Sequence, residues 1–256
     1  APVQQSRQCP VEKDQIDARA LREGRRGGRS RQLERAEPVA LAEELPVRET
    51  VELVERLVQV ATLRCFAVRL LEELLKTDRQ VYLLYSQAAQ IVAQMETELV
   101  LPSRASEAQA MLCEKYGVTD KQLQVFGRQQ WTAPPASGSN PPEAMVICPC
   151  TSGTLATVAH GVCDDLIDRA ADVMLKERRK LIIVVRETPH STIQLENMLR
   201  LARAGATIMP ANPGFYFNPQ SVDEIIDFMV ARILDHLGIE HTLSQRWGDD
   251  SGKVVT

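Results

Sequence analysis

No apolar run in the 256-residue sequence approaches the roughly 20 residues that a helix needs to cross a bilayer. The N-terminal stretch also lacks the apolar core of a secretory signal. Neither a membrane span nor a secretion signal is therefore expected. A cationic excess is missing too. The 30 Lys and Arg stand against 34 Asp and Glu, for a net charge of −4, which argues against a nucleic-acid binder driven by bulk charge. Six Cys occur without a C-x-x-C pair. Cys148 and Cys150 would point to one side of a strand, too close in sequence for an easy bridge. Reduced thiols in a cytoplasmic protein are the expectation. The four His (His160, His190, His236 and His241) show no metal-site spacing, so no metal is expected.

What is present is a core. Apolar residues make up 44% of the chain, enough for one medium α/β domain plus an extension. Residues 1–50 are polar, and Arg22 to Arg31 form a basic, glycine-containing run. This composition reads as a solvated, disordered extension rather than a nucleic-acid arm. Residues 51–248 carry the domain. From Glu49 to Leu57 the apolar spacing supports an amphipathic helix. Ala67 to Lys76 is a strong helix by period and propensity. Gln80 to Leu84 reads as a strand, and Ser86 caps a helix that follows it. Ser103 to Tyr116 is a further helix and Leu123 to Phe126 a short strand. The Pro/Gly/Ser loop at 132–142 contains Ser137-Gly138-Ser139, which could approach a ligand closely.

Beyond that loop the alternation becomes regular. Strands at 144–148, 181–185 and 206–209 alternate with helices at 152–161, 164–178 and 191–204, and a last helix starts at Ser221 with Glu224 as its capping-box partner. Gly205 is placed to end the third of these helices. Buried, non-alternating strands joined by helices predict a parallel sheet covered on both faces. Ligands of such sheets sit beyond the carboxyl ends of the strands, where Pro149, Arg186 and Pro210 all fall. The stretch AMVICPCTSGT runs a strand into a helix start. Its Thr151, Ser152, Gly153 and Thr154 supply hydroxyls and free N–H groups suited to a phosphate. Arg186 suits bidentate phosphate contact and Glu187 proton transfer. Lys176 lies in a basic helix end, Tyr216 on an aromatic loop, and Arg232 among apolar neighbours on the last helix.

These residues also carry a family resemblance. PCTSGTLATVAHG, DRAADVMLKERRKLIIVVRETP, ENMLRLARAGATIMPANPGFY and ARILDHLGI resemble the UbiX-type flavin prenyltransferases, with SQAA and WTAPPASGS in matching order. The resemblance implies a flavodoxin-like three-layer α/β sandwich with a mostly parallel sheet, assembled as a homododecamer. It implies reduced FMN as acceptor, dimethylallyl phosphate as donor, and no metal. The prenyl group would go to flavin N5 and C6, and the prenylated FMN to a UbiD-type decarboxylase, in many bacteria for ubiquinone synthesis. By position, Ser86, Thr151, Ser152, Gly153, Thr154 and Arg186 would contact FMN. Lys176, Arg186, Tyr216 and Arg232 would hold the substrate phosphate, supported by Arg169. Trp131 and Trp247 would supply aromatic walls, and Glu187 and Glu96 are the candidate proton-transfer carboxylates.

One stretch departs from the family. Its members begin with a strand and a Gly-Ala-Ser-Gly loop, where this chain reads VQVATLRCF from Val58 to Phe66. Thr62 stands in the place of the loop serine, Arg64 would crowd the turn, and the glycines are absent. A misassigned reading frame up to about residue 66 is one expectation. A compromised first strand with lowered FMN affinity is the expectation for a genuine sequence. Two other functions compete: a flavin-dependent cysteine decarboxylase of the same fold, whose PASANT-like motif differs from PCTSGT here, and an inactive flavin-binding assembly subunit.

Overall fold

The computed structural model describes residues 56–58, 66–96, 99–244 and 246. They form a six-stranded parallel sheet in the order β3-β2-β1-β4-β5-β6. The strands are β1 (Arg56–Val58), β2 (Gln80–Leu83), β3 (Leu123–Val125), β4 (Ala144–Cys150), β5 (Lys180–Val185) and β6 (Thr207–Pro210). The helices are α1 (Phe66–Leu75), α2 (Gln87–Glu96), α3 (Ala105–Tyr116), α4 (Ser152–Ala159), α5 (Leu166–Lys176), α6 (Thr192–Ala204) and α7 (Val222–Leu237). The expected three-layer α/β sandwich is what forms. Among the described residues no helix is long and apolar enough to cross a membrane.

The period-2 geometry of strands explains the two covered faces. On β5, Ile182 and Val184 face a core shared with Leu70 and Leu74 of α1, Leu112 of α3 and Val230 and Ile233 of α7. Leu181, Ile183 and Val185 face the opposite core with Leu155 of α4, Ala170 and Met174 of α5 and Leu201 of α6. Truncating a fully buried side chain such as Leu112 to Ala would cost about 2–5 kcal/mol. On the first face Arg69 of α1 donates to Asp227 of α7, with Nε to Oδ1 at 2.6 Å.

Four expectations need correction. Arg56–Val58 is a strand, not the end of a helix, and the rest of the expected helix lies outside the described residues. A short apolar run carries both periods. Pairing decides it here, because β1 lies between β2 and β4 and bonds to both. The strand expected to stop before Pro149 continues to Cys150, through a cis Cys148–Pro149 bond and a register shift between Ile147 and Cys150. The last strand likewise takes in Pro210. It is an edge strand, where a residue without an N–H costs no ladder bond on its open side. Ser221 does cap α7, its hydroxyl accepting from Glu224 N–H, but Glu224 reaches back to Gln220 N–H rather than to Ser221. A complete capping box forms instead on α6, between Ser191 and Gln194.

Candidate active site

The strand order reverses between β1 and β4, and in doubly wound sheets a crevice opens there at the carboxyl edge. The turn after β4 enters α4 at this point. Thr151 takes the N-cap: its hydroxyl accepts from Thr154 N–H at 3.3 Å and lies 3.1 Å from the Thr154 hydroxyl. The N–H groups of Ser152 and Gly153 belong to the first turn, which a helix cannot satisfy from within. Gly153 has an ordinary backbone conformation, and a Cβ there would meet nothing nearer than Thr151 Oγ1 at 3.9 Å. Neither packing nor strain within the chain requires glycine. Its bare backbone leaves room for a ligand to approach the helix start, so the cradle fits the phosphate of a nucleotide such as FMN.

Register sets the cation beside this cradle. Cys150 pairs with Val185, and Arg186 N–H donates to Cys150 O at 3.2 Å. The exposed Arg186 and half-buried Glu187 therefore leave the sheet next to the α4 start. The neighbouring strand follows, since Ala211 N–H donates to Val185 O at 2.8 Å and opens the loop that bears Tyr216. Tyr216 is 65% exposed and meets the Phe228 ring edge-on at 5.9 Å. Ser86 follows β2 on the same edge, its hydroxyl accepting from Ala89 N–H at 3.1 Å. Trp131, also exposed, lies in the loop that leaves β3 on that edge.

Other expected members lie elsewhere in the chain. Lys176 ends α5, before β5 begins, whereas Arg186 follows β5. Six residues of strand separate those ends by about 20 Å. Lys176 pairs instead with Glu177, and Gly138 packs against both. The close approach foreseen for the 137–139 turn is therefore to this ion pair. Arg169 supports the same loop, with Nε donating to Ala136 O at 3.0 Å and Nη1 to Asp172 at 2.8 Å. Arg232 is on α7, one turn beyond Phe228, and donates to Asp235 at 2.8 Å. Glu96 ends α2, about 15 Å of helix away from Ser86. Trp247, Thr62 and Arg64 fall outside the described residues. A single chain thus gathers Ser86, Thr151 to Thr154, Arg186, Glu187, Tyr216 and Trp131 on one sheet edge. It leaves Lys176 at the opposite end of β5 from the Arg186 rim.

Beneath the cradle lies a brace that the sequence reading missed. Asp165 caps α5, its Oδ1 accepting from Ile167 and Asp168 N–H, while Arg128 Nε and Nη2 grip its Oδ2 at 2.8 and 2.6 Å. Asp168, only 7% exposed, accepts from Thr157 of α4 at 2.9 Å. Burial, and then repulsion from Asp165, raise its carboxyl above the usual range. Burial also pushes the Cys150 thiol up to about 12, which makes it unreactive. The available signal was the Asp165-x-x-Asp168 spacing at a helix start. The described residues contain no group of three or more potential metal ligands.

A doubly wound parallel sheet with a phosphate-type cradle at its switch point defines a mononucleotide-binding α/β protein. The chain matches the flavoprotein family profile over residues 58–234, more than half its length. It is 54% identical over 184 residues to the flavin prenyltransferase UbiX of Pseudomonas aeruginosa, covering 72% of this chain and 88% of that one. Over 184 residues it is 46% identical to the flavin prenyltransferase UbiX of Alkalihalophilus pseudofirmus, covering 72% and 90%. Two solved structures are similar, each at 36% identity with a TM-score of 0.65. One is AnUbiX (PadA1) in complex with FMN and dimethylallyl pyrophosphate, covering 75% of this chain and 97% of that chain. The other is a dodecameric FMN-dependent UbiX-like decarboxylase from Escherichia coli O157:H7, covering 75% and 98%. The chain belongs to the flavoprotein family and, within it, to the UbiX flavin prenyltransferases.

Proposed function

We propose that this protein is a flavin prenyltransferase that moves a dimethylallyl group from dimethylallyl phosphate to reduced FMN. The observation that carries this reading is the 54% identity to a UbiX flavin prenyltransferase over most of both chains. The cradle at the α4 start supports it. When bound, reduced FMN supplies the N5 and C6 atoms that accept the prenyl group. Thr151, Ser152, Gly153 and Thr154 bind its phosphate through N–H groups and hydroxyls, with Ser86 on the same edge. Arg186 serves both phosphates.

Lys176, Arg232 and Tyr216 join Arg186 in gripping the phosphate of the donor. They neutralise the charge that builds as its C–O bond breaks. Within one subunit Lys176 and Arg186 are about 20 Å apart. The clamp is therefore completed between subunits of a homo-oligomer, with Arg169 holding the loop beside Lys176. A dodecamer agrees with the assembly of the similar Escherichia coli protein. Trp131 and Trp247 offer π-faces to the allylic cation, Glu187 carries a proton to or from the phosphate, and Glu96 is a second pocket carboxylate. The product serves a UbiD-type decarboxylase in ubiquinone synthesis, in the cytoplasm.

A second reading has one observation in its favour: residues 59–65, QVATLRC, contain no glycine where the resemblance expects a flavin-wrapping loop. On that reading the chain binds flavin but does not turn over. A misassigned reading frame up to about residue 66 would also account for the missing glycines, and translation of the other two frames of the gene tests this. Anaerobic incubation with reduced FMN and dimethylallyl phosphate separates the two functions. A flavin heavier by one prenyl unit, detected by mass spectrometry, is expected; retained, unmodified FMN would establish the second reading.

A further inference from the structure

Arg232 is held by a helix neighbour, Asp235, whose carboxylate is itself held from beyond the helix. Its Nη1 donates to Asp235 Oδ2 at 2.8 Å, and the other oxygen of that carboxylate is committed as well. His241 Nε2 lies 3.2 Å from Oδ1, and Arg246 Nη2 donates to the same atom at 3.2 Å. Leu243 N–H donates to His241 Nδ1 at 3.3 Å. That bond makes Nδ1 the acceptor, so Nε2 carries the proton and donates to Asp235. The His241 side chain is 3% exposed and cannot swing away. Oδ1 is thus held from the segment that follows α7, by His241 and Arg246, and Oδ2 is the oxygen that meets Arg232. Arg232 and Arg246 are themselves exposed and line a surface cavity of about 320 Å³ together with Glu240. A guanidinium carries five N–H donors, and Asp235 uses few of them.

We propose that Asp235 is a positioning residue for substrate binding: it orients the Arg232 guanidinium toward the phosphate of the donor, and His241 fixes Asp235. This rests on the reading of Arg232 as a phosphate ligand. A freely rotating arginine loses more rotamer entropy on binding than one already held by a carboxylate. The arrangement also ties His241 and Arg246 to Arg232 through a single carboxylate.

The test is a double-mutant cycle on the full-length, FMN-loaded protein. Asp235→Asn should raise the KM for dimethylallyl phosphate about tenfold, the scale of a lost charged hydrogen bond, with kcat and FMN affinity little changed. In an Arg232→Ala background the same substitution should add almost nothing, because the group it positions is gone. Asp235→Glu, which keeps the charge, should recover most of the loss. Calorimetric binding of dimethylallyl phosphate to the protein with oxidised FMN reads the same cycle without turnover. Equal effects of Asp235→Asn in both backgrounds would overturn the proposal, since a merely structural role acts independently of Arg232. A parent protein that makes no prenylated flavin, yet shows the coupling in binding, would overturn the assigned activity and leave the positioning role standing.

Discussion

Gly138 and Lys176 are packed so closely that a Cβ on the glycine would overlap the lysine ammonium, and it would lie 2.9 Å from Glu177 Cδ. The glycine therefore sets where the Lys176–Glu177 pair sits. Gly138→Ala should push the flexible lysine end aside rather than unfold the protein. The KM for dimethylallyl phosphate is expected to rise about tenfold or less, since one charged contact is displaced and not deleted. A melting curve close to that of the parent accompanies it. Steady-state kinetics with unchanged KM would remove Lys176 from the phosphate clamp.

Gly153 makes the opposite case. A Cβ there meets only Thr151 Oγ1 at 3.9 Å. Gly153→Ala should keep or raise stability by up to about 1 kcal/mol, from helix propensity alone. The added methyl group occupies the approach to the helix start, so FMN affinity should fall. Flavin fluorescence titration measures it, and an unaltered affinity would place the flavin phosphate elsewhere.

Asp168 gives a pH dependence with a definite sign. Its carboxyl is raised above the ordinary 3.8, first by burial and then by Asp165. The folded state therefore holds this proton over a window where the unfolded chain has released it. Stability contributed by the group falls as pH rises from about 3.8 through the raised value, and the loss is complete above it. Asp168→Asn keeps a partner for Thr157 and removes the charge. The melting temperature of the variant relative to the parent should climb across that window and level off beyond it. A pH-independent difference would show that charge on Asp168 is not what costs stability.

The outer surface of α6 leaves Ile193, Leu195 and Leu199 exposed. Leu195 and Leu199 are one turn apart on the same face of the helix. In the homo-oligomer proposed above, this apolar surface is the expected contact with another copy of the chain. Leu195→Glu should cost little in the isolated subunit and shift the species seen by light scattering toward smaller assemblies. Donor binding should weaken with it if the proposed clamp draws on a neighbouring subunit. An unchanged mass would move the contact to another face.

Much of the layout was legible along the chain. Helix boundaries at Ser86, Ser191, Gly205 and Ser221 follow from local chemistry: hydroxyls that cap and a glycine at φ 105°. The helix start at Thr151 was legible for the same reason. Less so was β4, where a proline inside the strand reads as a stop, and β1, whose three residues carry no period of their own. Both became strands because neighbouring strands supply the partners, and sequence spacing does not record a partner.

By itself the amino-acid order determined most of the helix and strand segments, β1 excepted, that both sheet faces are buried, and that hydroxyls and a glycine stand at the start of α4. These are consequences of period, capping and volume, which act within a few residues. Tertiary structure decided what lies beside what. It put Arg186 next to the α4 start and Lys176 at the other end of β5, and packed Gly138 on Lys176. Those contacts join residues distant along the chain, through strand register and helix packing. Geometry in space settles them, because no local preference reaches that far.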